Sequence, residues 1–198
     1  GAHQSVRERY RRYDKKFSQL FIFDFLQGDA VDAAAEEEYF RLHVLDADKQ
    51  SRSRESYGRQ ADLGRVGEAF YVRAQHKESG RTAGMLLVSL YKGAAFDNSV
   101  AIDPAFTQYH VGHMLRIRAL EELERRGATR LEMPLYMYPP SLEHSMSEKE
   151  RNISHFKEGF SHGTSRAIWK IERFLNLDYL HRYLAEREHS LKEFFLHH

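Results

Sequence analysis

The chain has 198 residues, no cysteine, and nearly equal numbers of basic (30) and acidic (29) side chains. This length suits one domain with a single core, and the balanced charge gives no reason to expect a nucleic-acid partner. The absence of cysteine excludes disulfides, thiolate metal sites and a cysteine nucleophile, and it is compatible with a reducing cytoplasm.

The chain termini and apolar runs set further expectations. No apolar run approaches the roughly 20 residues that a membrane span needs. We expect no signal peptide, because the charged N-terminal stretch has no apolar core behind it. The chain lacks an initiator methionine and begins with Gly-Ala-His, so it is compatible with a piece of a longer protein.

The first third of the chain predicts a helical extension, a strand and two helices. Residues 1–17 form the N-terminal extension, with a basic helix over 4–16, and the apolar run QLFIFDFL predicts a strand at 19–26. Asp29 or Asp32 is suited to cap the next helix. Its apolar positions recur at helical spacing: Ala34, Tyr39, Phe40, Leu42 and Leu45. A further helix is predicted over SRESYGRQADLGRV, ending near Gly67.

The middle of the chain has the sequence pattern of a β-sheet. The runs EAFYVRAQH, TAGMLLVSLYKG and AAFDNSVAID are separated by short turn signals, which predicts three antiparallel strands. A helix over 110–126 and a strand over 129–137 follow.

The last third predicts a loop, a helix, a strand and a closing helix. Ser147 and Glu150 form a capping box at the start of the first helix. TSRAIWKIERF alternates like a strand, and 175–198 reads as a C-terminal amphipathic helix. Helices on a mixed sheet make the fold α/β or α+β, and we expect 1–198 to be one domain.

This order of elements resembles the GNAT acyltransferase fold, which implies a mixed, mostly antiparallel sheet flanked by helices. In that family a loop after the fourth strand holds the pyrophosphate of acyl-CoA on its backbone amides, with the signature Gln or Arg, two residues, Gly, one residue, then Gly or Ala. Here the loop reads TQYHVGHML. Aligned on Gly112, it has Thr107 at the first position and His110 at the middle glycine.

Two further stretches narrow the resemblance. HFKEGF is similar to the family's segment after the fifth strand, and FKEGFSHGTSRAIWKI with YHVGHMLRIRALEELERRGATRLEM looks like the FemAB/BioF2-like branch. The resemblance covers roughly residues 18–174.

The resemblance implies acetyl-CoA or another acyl-CoA as co-substrate. The unpaired N–H groups and the dipole at a helix N-terminus form an anion site. Gly112 permits close approach of a phosphate; the alternative is that it only allows tight helix–sheet packing. The predicted cofactor-binding residues are His110, Val111, Gly112, His113 and Arg116. His110 and His113 have no third ligand nearby in sequence, so we expect no metal site.

Catalysis needs a base for the amine, an oxyanion donor and a proton for the leaving thiolate. The resemblance implies an oxyanion N–H within Asn98 to Asp103 and a thiolate-protonating group at His155. Glu132 lies inside an apolar run, where a carboxylate is paired, exposed to a cleft or raised in pKa. It is therefore a candidate general base; the alternatives are that it faces solvent or pairs with a neighbouring arginine. Tyr136 is grouped with these catalytic candidates.

The region that covers the acceptor site in the GNAT fold is rich in polar residues here. The predicted acceptor-binding residues are His43, Arg52, Asn98, Tyr138 and Lys157, with Arg54 and Gln60 as further candidates. If Arg52 and Arg54 point inward, they suit an acceptor that carries a phosphate or carboxylate. The alternative is a solvated helix–loop–helix, which charge runs usually form.

Together these residues predict a cytoplasmic acyl-CoA-dependent N-acyltransferase, with acetyl as the favoured group. Its partner would be a small amine, such as an amino sugar or nucleotide-linked sugar of polysaccharide biosynthesis, with no nucleic acid; a homodimer is compatible with the sequence. The alternatives are a non-catalytic GNAT-like binding module and a Fem-type transferase that uses aminoacyl-tRNA.

Overall fold

The computed structural model describes residues 2–50 and 52–133, and the isolated positions 148, 151, 152, 157, 181 and 185, which are helical. The chain divides into two compact units, Gly1–Pro134 and Leu135–His198, and every element below belongs to the first. The other predicted elements after residue 134 lie outside the described residues. The single domain over 1–198 stays a prediction.

The elements of the first unit follow the predicted order. The helices are α1 (Ala2–Phe17), α2 (Ala33–Ala47), α3 (Arg54–Arg65) and α4 (Val111–Arg125). The strands are β1 (Phe21–Leu26), β2 (Ala69–His76), β3 (Thr82–Tyr91), β4 (Ala94–Ile102) and β5 (Arg130–Glu132). Short 3₁₀ turns occupy Ser18–Leu20, Gly28–Ala30 and Pro104–Tyr109.

The described strands form one five-stranded sheet in the order β1-β2-β3-β4-β5. The first four pair antiparallel and β5 pairs parallel to β4, so the predicted mixed, mostly antiparallel sheet is confirmed. Lys92 and Gly93, with φ of 48° and 77°, make the two-residue β3–β4 turn, because a hairpin of this length favours left-handed residues.

Helices cover both faces of this sheet. One core cluster joins α4 to the sheet through residues such as Met114 and Leu115. The other joins α2 and α3 to the opposite face through Leu42, Tyr57 and Ala61. Because both faces are covered, the central run of β3 is buried along most of its length, as its unbroken apolar sequence predicts.

The interior face of α2 differs from the predicted one. Ala34 is exposed and the Leu45 side chain is 41% exposed, whereas Ala35, Tyr39 and Leu42 are buried. The helix therefore meets the sheet along an i, i+4, i+7 stripe that begins one residue later than the apolar pattern indicated. The reason is that polar residues further along the same stripe also face the sheet, and a pattern of apolar residues alone does not include them.

The start of α2 agrees with one of the two predicted caps. The Asp32 side chain accepts a hydrogen bond from the Ala35 amide at 2.8 Å, while Asp29 lies in the preceding 3₁₀ turn. Asp32 thus satisfies an N–H that the first helical turn leaves without an intrahelical partner.

Candidate active site at the end of the fourth strand

A β-bulge interrupts β4 at Asn98. The register pairs Leu87 with Ser99 and the next residue, Val88, with Asp97, so Asn98 is the extra residue. The sequence showed only that this strand carries polar residues at Asp97 to Ser99.

The bulge reverses which face of the sheet the odd-numbered side chains of β4 occupy. Before it, Ala95 packs in the α4 core and Asp97 bonds to a side chain of α4. After it, Ser99 bonds to a side chain of α2 and Ala101 packs in the α2–α3 core. A regular strand would keep all four on one face, because side chains alternate with a period of two.

The bulge also lies where the recorded pairing with β5 ends. Ala94 to Phe96 pair with Arg130 to Glu132, and in the part of the chain that the structure describes no strand continues beside the rest of β4. Of the amides predicted as oxyanion donors, that of Ile102 donates to Asp46 Oδ2 at 3.4 Å and that of Asp103 to the Ala83 carbonyl at 2.9 Å. The candidate donors therefore narrow to Asn98–Ala101.

The loop after β4 ends in a strained residue. The 3₁₀ turn over Pro104–Tyr109 is capped by Asp103, and the chain then enters α4 through His110 with φ of 54°. This left-handed conformation favours glycine and costs other residues about 1 kcal/mol. His110 stands where the GNAT signature has its middle glycine, and its left-handed backbone is one that glycine adopts without cost.

Aromatic side chains of α1 pack on this corner. Tyr13 stacks on the His110 ring at a centroid distance of 3.8 Å, and Tyr10 lies 4.8 Å from the His113 ring. Burial, followed by the charge of Lys16, lowers the pKa of His110, which keeps its ring neutral near pH 7. Both histidine rings thus belong to an interface with α1, and side-chain contacts from them to a cofactor stay a prediction.

The first amides of α4 are not used by the described residues, and Val111 itself is buried at 1% exposure. His110 contributes no side-chain cap, and among the described residues the N–H groups of Val111 and Gly112 have no acceptor. The His113 amide bonds to the His110 carbonyl at 3.0 Å. Two adjacent amides with the positive end of the helix dipole suit an anion such as a phosphate.

Gly84, which the sequence did not single out, has the tighter surroundings of the two glycines near this loop. A Cβ on Gly112 would meet Arg116 Nη1 and Ile102 Cδ1 at 3.7 Å, an ordinary contact. A Cβ on Gly84 would lie 2.7 Å from Ile102 Cδ1 and 3.2 Å from Val111 Cγ1. The close approach of helix and sheet therefore requires Gly84 in β3, and no packing contact requires glycine at position 112.

Arg116 makes an internal ion pair. Its Nε lies 2.6 Å from Asp97 Oδ2, its Nη2 lies 3.3 Å from Asp97 Oδ1, and its Nη1 donates to the Gly112 carbonyl at 3.2 Å. Both side chains are buried, at 8% and 3% exposure. The pair connects the residue before the bulge to the first turn of α4, and a contact from Arg116 to a cofactor stays a prediction.

The catalytic candidates are only partly described. Glu132 in β5 is 37% exposed, and its Oε1 lies 2.8 Å from Arg130 Nε, as in the alternative of a neighbouring arginine. Its general-base role stays a prediction. Tyr136, Tyr138 and His155 lie outside the described residues.

Asn98 and Lys157, two further acceptor-binding candidates, belong to different units of the chain. Asn98 at the bulge donates from Nδ2 to Ser89 Oγ at 2.8 Å. Lys157 is helical, half-buried and in contact with other groups, and it belongs to the second unit.

The polar side of α2 runs along β4 beyond the bulge. The Tyr39 hydroxyl bonds to the Ser99 hydroxyl, and Asp46 accepts from the Ile102 amide. The two α2 contacts are seven positions apart, about 10 Å along the helix, and the two β4 contacts are three positions apart, about 10 Å along the strand. His43 lies four residues after Tyr39 and three before Asp46, and its ring packs edge-on against Tyr39 at a centroid distance of 4.6 Å.

Unpaired polar atoms occur beside this line of contacts. Among the described residues, buried polar atoms without a hydrogen-bond partner are His43 Nε2, Tyr57 Oη, Gln60 Oε1 and Tyr71 Oη. The His43 and Tyr57 rings have centroids 5.2 Å apart. Burial, with a smaller effect of the Arg52 charge, lowers the pKa of His43 to about 4, so this imidazole is neutral at pH 7.

The two arginines predicted near the acceptor differ. Arg54 pairs with Glu37, and its guanidinium lies 4.3 Å from the centre of the Phe40 ring, so it packs on the outer surface of α2. Arg52 is exposed, and within the described ranges its guanidinium has no ion-pair partner. Arg52 alone of the two thus keeps a charge that a ligand is able to use.

Two general findings limit the chemistry. No group of three or more His, Cys, Asp or Glu side chains within the described ranges is placed to hold a metal ion. None of the described helices is long and apolar enough to cross a membrane.

Comparison with known proteins shows similarity at the level of structure. No protein-family model matches the chain, and no curated protein matches it. The aminoglycoside acetyltransferase meta-AAC0020 from an uncultured soil metagenomic sample, solved with sisomicin, is 10% identical with a TM-score of 0.59 over 80% of this chain and 99% of its own.

Two further solved structures are similar to the chain. A GNAT-family protein from Desulfovibrio desulfuricans is 15% identical with a TM-score of 0.57, covering 76% of this chain and 89% of its own. The ribosomal-protein-S18-alanine N-acetyltransferase from Escherichia coli is 14% identical with a TM-score of 0.53, covering 75% and 79%. The chain therefore has the GNAT acetyltransferase fold. The FemAB/BioF2-like branch stays a prediction.

Proposed function

We propose that the chain is an acyl-CoA-dependent N-acyltransferase, with acetyl as the favoured group, that acts on a small amine such as an amino sugar or nucleotide-linked sugar. One observation carries the proposal: a bulged fourth strand leads through a left-handed His110 to the unpaired amides of Val111 and Gly112. This is the arrangement in which the GNAT fold binds a diphosphate and a thioester at two ends of one strand.

The proposed chemistry assigns a role to each end of this strand. The amides of Val111 and Gly112 hold the diphosphate, and an amide within Asn98–Ala101 donates to the thioester carbonyl as negative charge develops on its oxygen. The neutral amine attacks the carbonyl carbon; a C–N bond forms and the C–S bond breaks. The proposed base is Glu132, acting through water, and His155 supplies the proton that the thiolate takes up.

The departure from the GNAT signature at His110 does not favour the non-catalytic alternative. His110 has a left-handed backbone with φ of 54°, a conformation that glycine adopts readily, so the histidine has not forced the loop into a backbone that excludes glycine. The neighbour solved with sisomicin and an AAC(6')-Iy structure with CoA support an amino-sugar acceptor and a CoA donor.

The test is calorimetry with CoA and a thiol-release assay with acetyl-CoA and a panel of amines. We expect CoA binding at micromolar concentration and amine-dependent thiol release. No binding at millimolar CoA contradicts the proposal, and binding without release from any amine favours the non-catalytic alternative.

A matched pair of variants tests the amides directly. Gly112→Pro removes one donor in the first helical turn, where proline is tolerated, and should weaken CoA binding about tenfold or more, since a hydrogen bond to a charged group is worth about 1.5–3 kcal/mol. Gly112→Ala keeps the amide and fits the protein at 3.7 Å, so it isolates the effect of a Cβ beside the phosphate and should weaken CoA binding less than the proline variant. Equal affinities in the two variants would argue against this pyrophosphate site.

A further inference from the structure

Two buried polar atoms at the interface of α2 and α3 have no hydrogen-bond partner among the described residues. They are Nε2 of His43 and Oη of Tyr57, and the Tyr57 residue is only 1% exposed. Leaving such a group unsatisfied costs about 1–3 kcal/mol. Because native proteins pair nearly all buried polar groups, two unpaired atoms in adjacent rings require an explanation.

Their position points to the reaction rather than to the core. The His43 ring packs against Tyr39, whose hydroxyl bonds to Ser99, the residue directly past the bulge. The Tyr57 ring lies edge-on to Tyr39, at 6.0 Å. The two unpaired atoms thus lie on the face of the sheet to which the bulge turns Ser99.

We propose that His43 Nε2 and Tyr57 Oη bind the amine acceptor, each forming a hydrogen bond with a polar group next to the reacting nitrogen. This inference rests on the proposed acyltransferase function. It gives the two atoms the hydrogen-bond partners that the described part of the chain does not provide.

Access to these atoms requires the first half of α3 to separate from α2, because both atoms are shielded from solvent. This half is held by the Arg54–Glu37 ion pair, whose side chains are 45% and 59% exposed, and such surface pairs contribute little. The second half is fixed by buried Ala61 and Gly64. The first half also carries the buried Tyr57 ring, so opening the site requires this ring to separate from Tyr39 and His43 as well as loss of the ion pair.

The charges around the site indicate the class of acceptor. The acidic residues in the first half of α2 are neutralised by ion pairs: Glu36 with Arg65, Glu37 with Arg54 and Glu38 with Arg73. Asp46 bonds to the Ile102 amide at the far end of the line. Arg52 has no ion-pair partner within the described ranges, and its charge acts on both Tyr39 and His43. This balance favours an amine that carries a phosphate or carboxylate over a polycation.

Tyr57→Phe separates this role from a structural one. Removing an unpaired hydroxyl should leave the melting temperature unchanged or raise it, since the desolvation cost disappears. The KM for the amine should rise at least fivefold, with the KM for acetyl-CoA unchanged. A lower melting temperature would show that the hydroxyl has a partner in the free protein, and an unchanged amine KM would show that it does not bind the acceptor; either result overturns the proposal.

Two other tyrosines of the same cluster are matched controls. Tyr39→Phe breaks the bond to Ser99 and should lower the melting temperature. Tyr71→Phe also removes a hydroxyl that is unpaired among the described residues. The charged neighbours of Tyr71 are Arg65 and Asp62 at the C-terminal end of α3 and Glu36 in the first turn of α2. Tyr71→Phe should keep or raise the melting temperature without changing the amine KM.

The charge assignment is tested with glucosamine 6-phosphate, glucosamine and sisomicin. We expect kcat/KM for the phosphorylated amine to exceed that for glucosamine at least tenfold and to lose most of this advantage in Arg52→Gln. Preference for sisomicin, or turnover of none of the three by protein that binds CoA, overturns the anionic acceptor. Failure of the wild type to bind CoA is a different result, and it would reject the proposed function itself.

Discussion

At the scale of residues, Arg116 and Asp97 show that a sequence pattern does not identify the partner of a side chain. On the sequence, Arg116 follows Gly112 on a helix that was expected to meet phosphates. In the structure its guanidinium forms a buried fork with Asp97, nineteen positions earlier in the chain. Only the packing of α4 on β4 brings the two together.

Breaking this buried pair should be costly. Arg116→Gln leaves the buried Asp97 carboxylate without its guanidinium, and Asp97→Asn removes the charge that the buried guanidinium faces, so each should lower the free energy of unfolding by about 3–5 kcal/mol. The double variant Asp97→Leu with Arg116→Met should lose less than the sum of the two. Urea denaturation provides the measurement.

The control for this prediction is an exposed pair. Arg59 and Glu55 are 76% and 72% exposed, so Arg59→Gln should change stability by less than about 1 kcal/mol. Should Asp97→Asn cost no more than this control, the buried pair would not stabilise the junction of β4 and α4.

His110 shows a different limit at the same scale. His110 does not match the glycine of the GNAT signature, yet its backbone has a left-handed φ, which glycine readily adopts. Stacking with Tyr13 of the N-terminal extension is the tertiary contact that accompanies this conformation.

At the scale of elements, the helices and strands up to β5 follow from periodicity, caps and turns. The β4 bulge and the choice of residues that α2 buries do not follow from these patterns. A bulge is a mismatch between two strands, so it depends on the partner strand and leaves no regular pattern in either sequence. The interior stripe of α2 includes polar positions, and hydrophobic spacing therefore placed it one residue too early.

Gly84 gives a prediction at this scale. Gly84→Ala forces a Cβ to within 2.7 Å of Ile102 Cδ1 and 3.0 Å of the Ala101 carbonyl, so it should destabilise the protein by about 1–3 kcal/mol. Differential scanning calorimetry would show a lower melting temperature.

Gly58→Ala is the matched control. The nearest atom to a Cβ there is Glu36 Oε1 at 3.6 Å, and alanine is favoured over glycine inside a helix by about 1 kcal/mol. This variant should raise the melting temperature. If both alanines had the same effect, the close approach of α4 over Gly84 would be in doubt.

At the scale of the whole molecule, a polar network joins distant parts of the chain. Glu122 in α4 bonds to Arg126 at 2.6 Å, and Arg126 donates to Gln27 at 2.9 Å. Gln27 in turn donates to the carbonyls of Gly67 and Ala69. The network thus ties the end of α4 to the segments after β1 and before β2.

Glu122 makes this network sensitive to acid. Hydrogen bonds from Arg125 and then Arg126 lower the pKa of Glu122 to about 2, against an ordinary 4.5. The unfolded state binds its proton first as pH falls, so the stabilisation is complete above the unfolded pKa and is lost towards pH 2. The stability difference between wild type and Glu122→Gln should be large at pH 7 and smaller at pH 3, measured by urea denaturation.

Glu124→Gln on the exposed side of the same helix should stay within about 0.5 kcal/mol of the wild type at both values. An equal stability difference for Glu122→Gln at pH 7 and pH 3 would show that the ionised carboxylate is not what stabilises the network.

By itself, the sequence determined the element order up to β5, the mixed sheet and the corner at which a helix N-terminus follows the fourth strand. These depend on local periods, caps and turns, which a short stretch of chain carries within itself. The tertiary structure alone decided that Asn98 bulges, that Arg116 turns to Asp97 and that His43 and Tyr57 meet without partners. Each of these results from packing between segments far apart in the chain, and the free energy of such contacts depends on both partners at once.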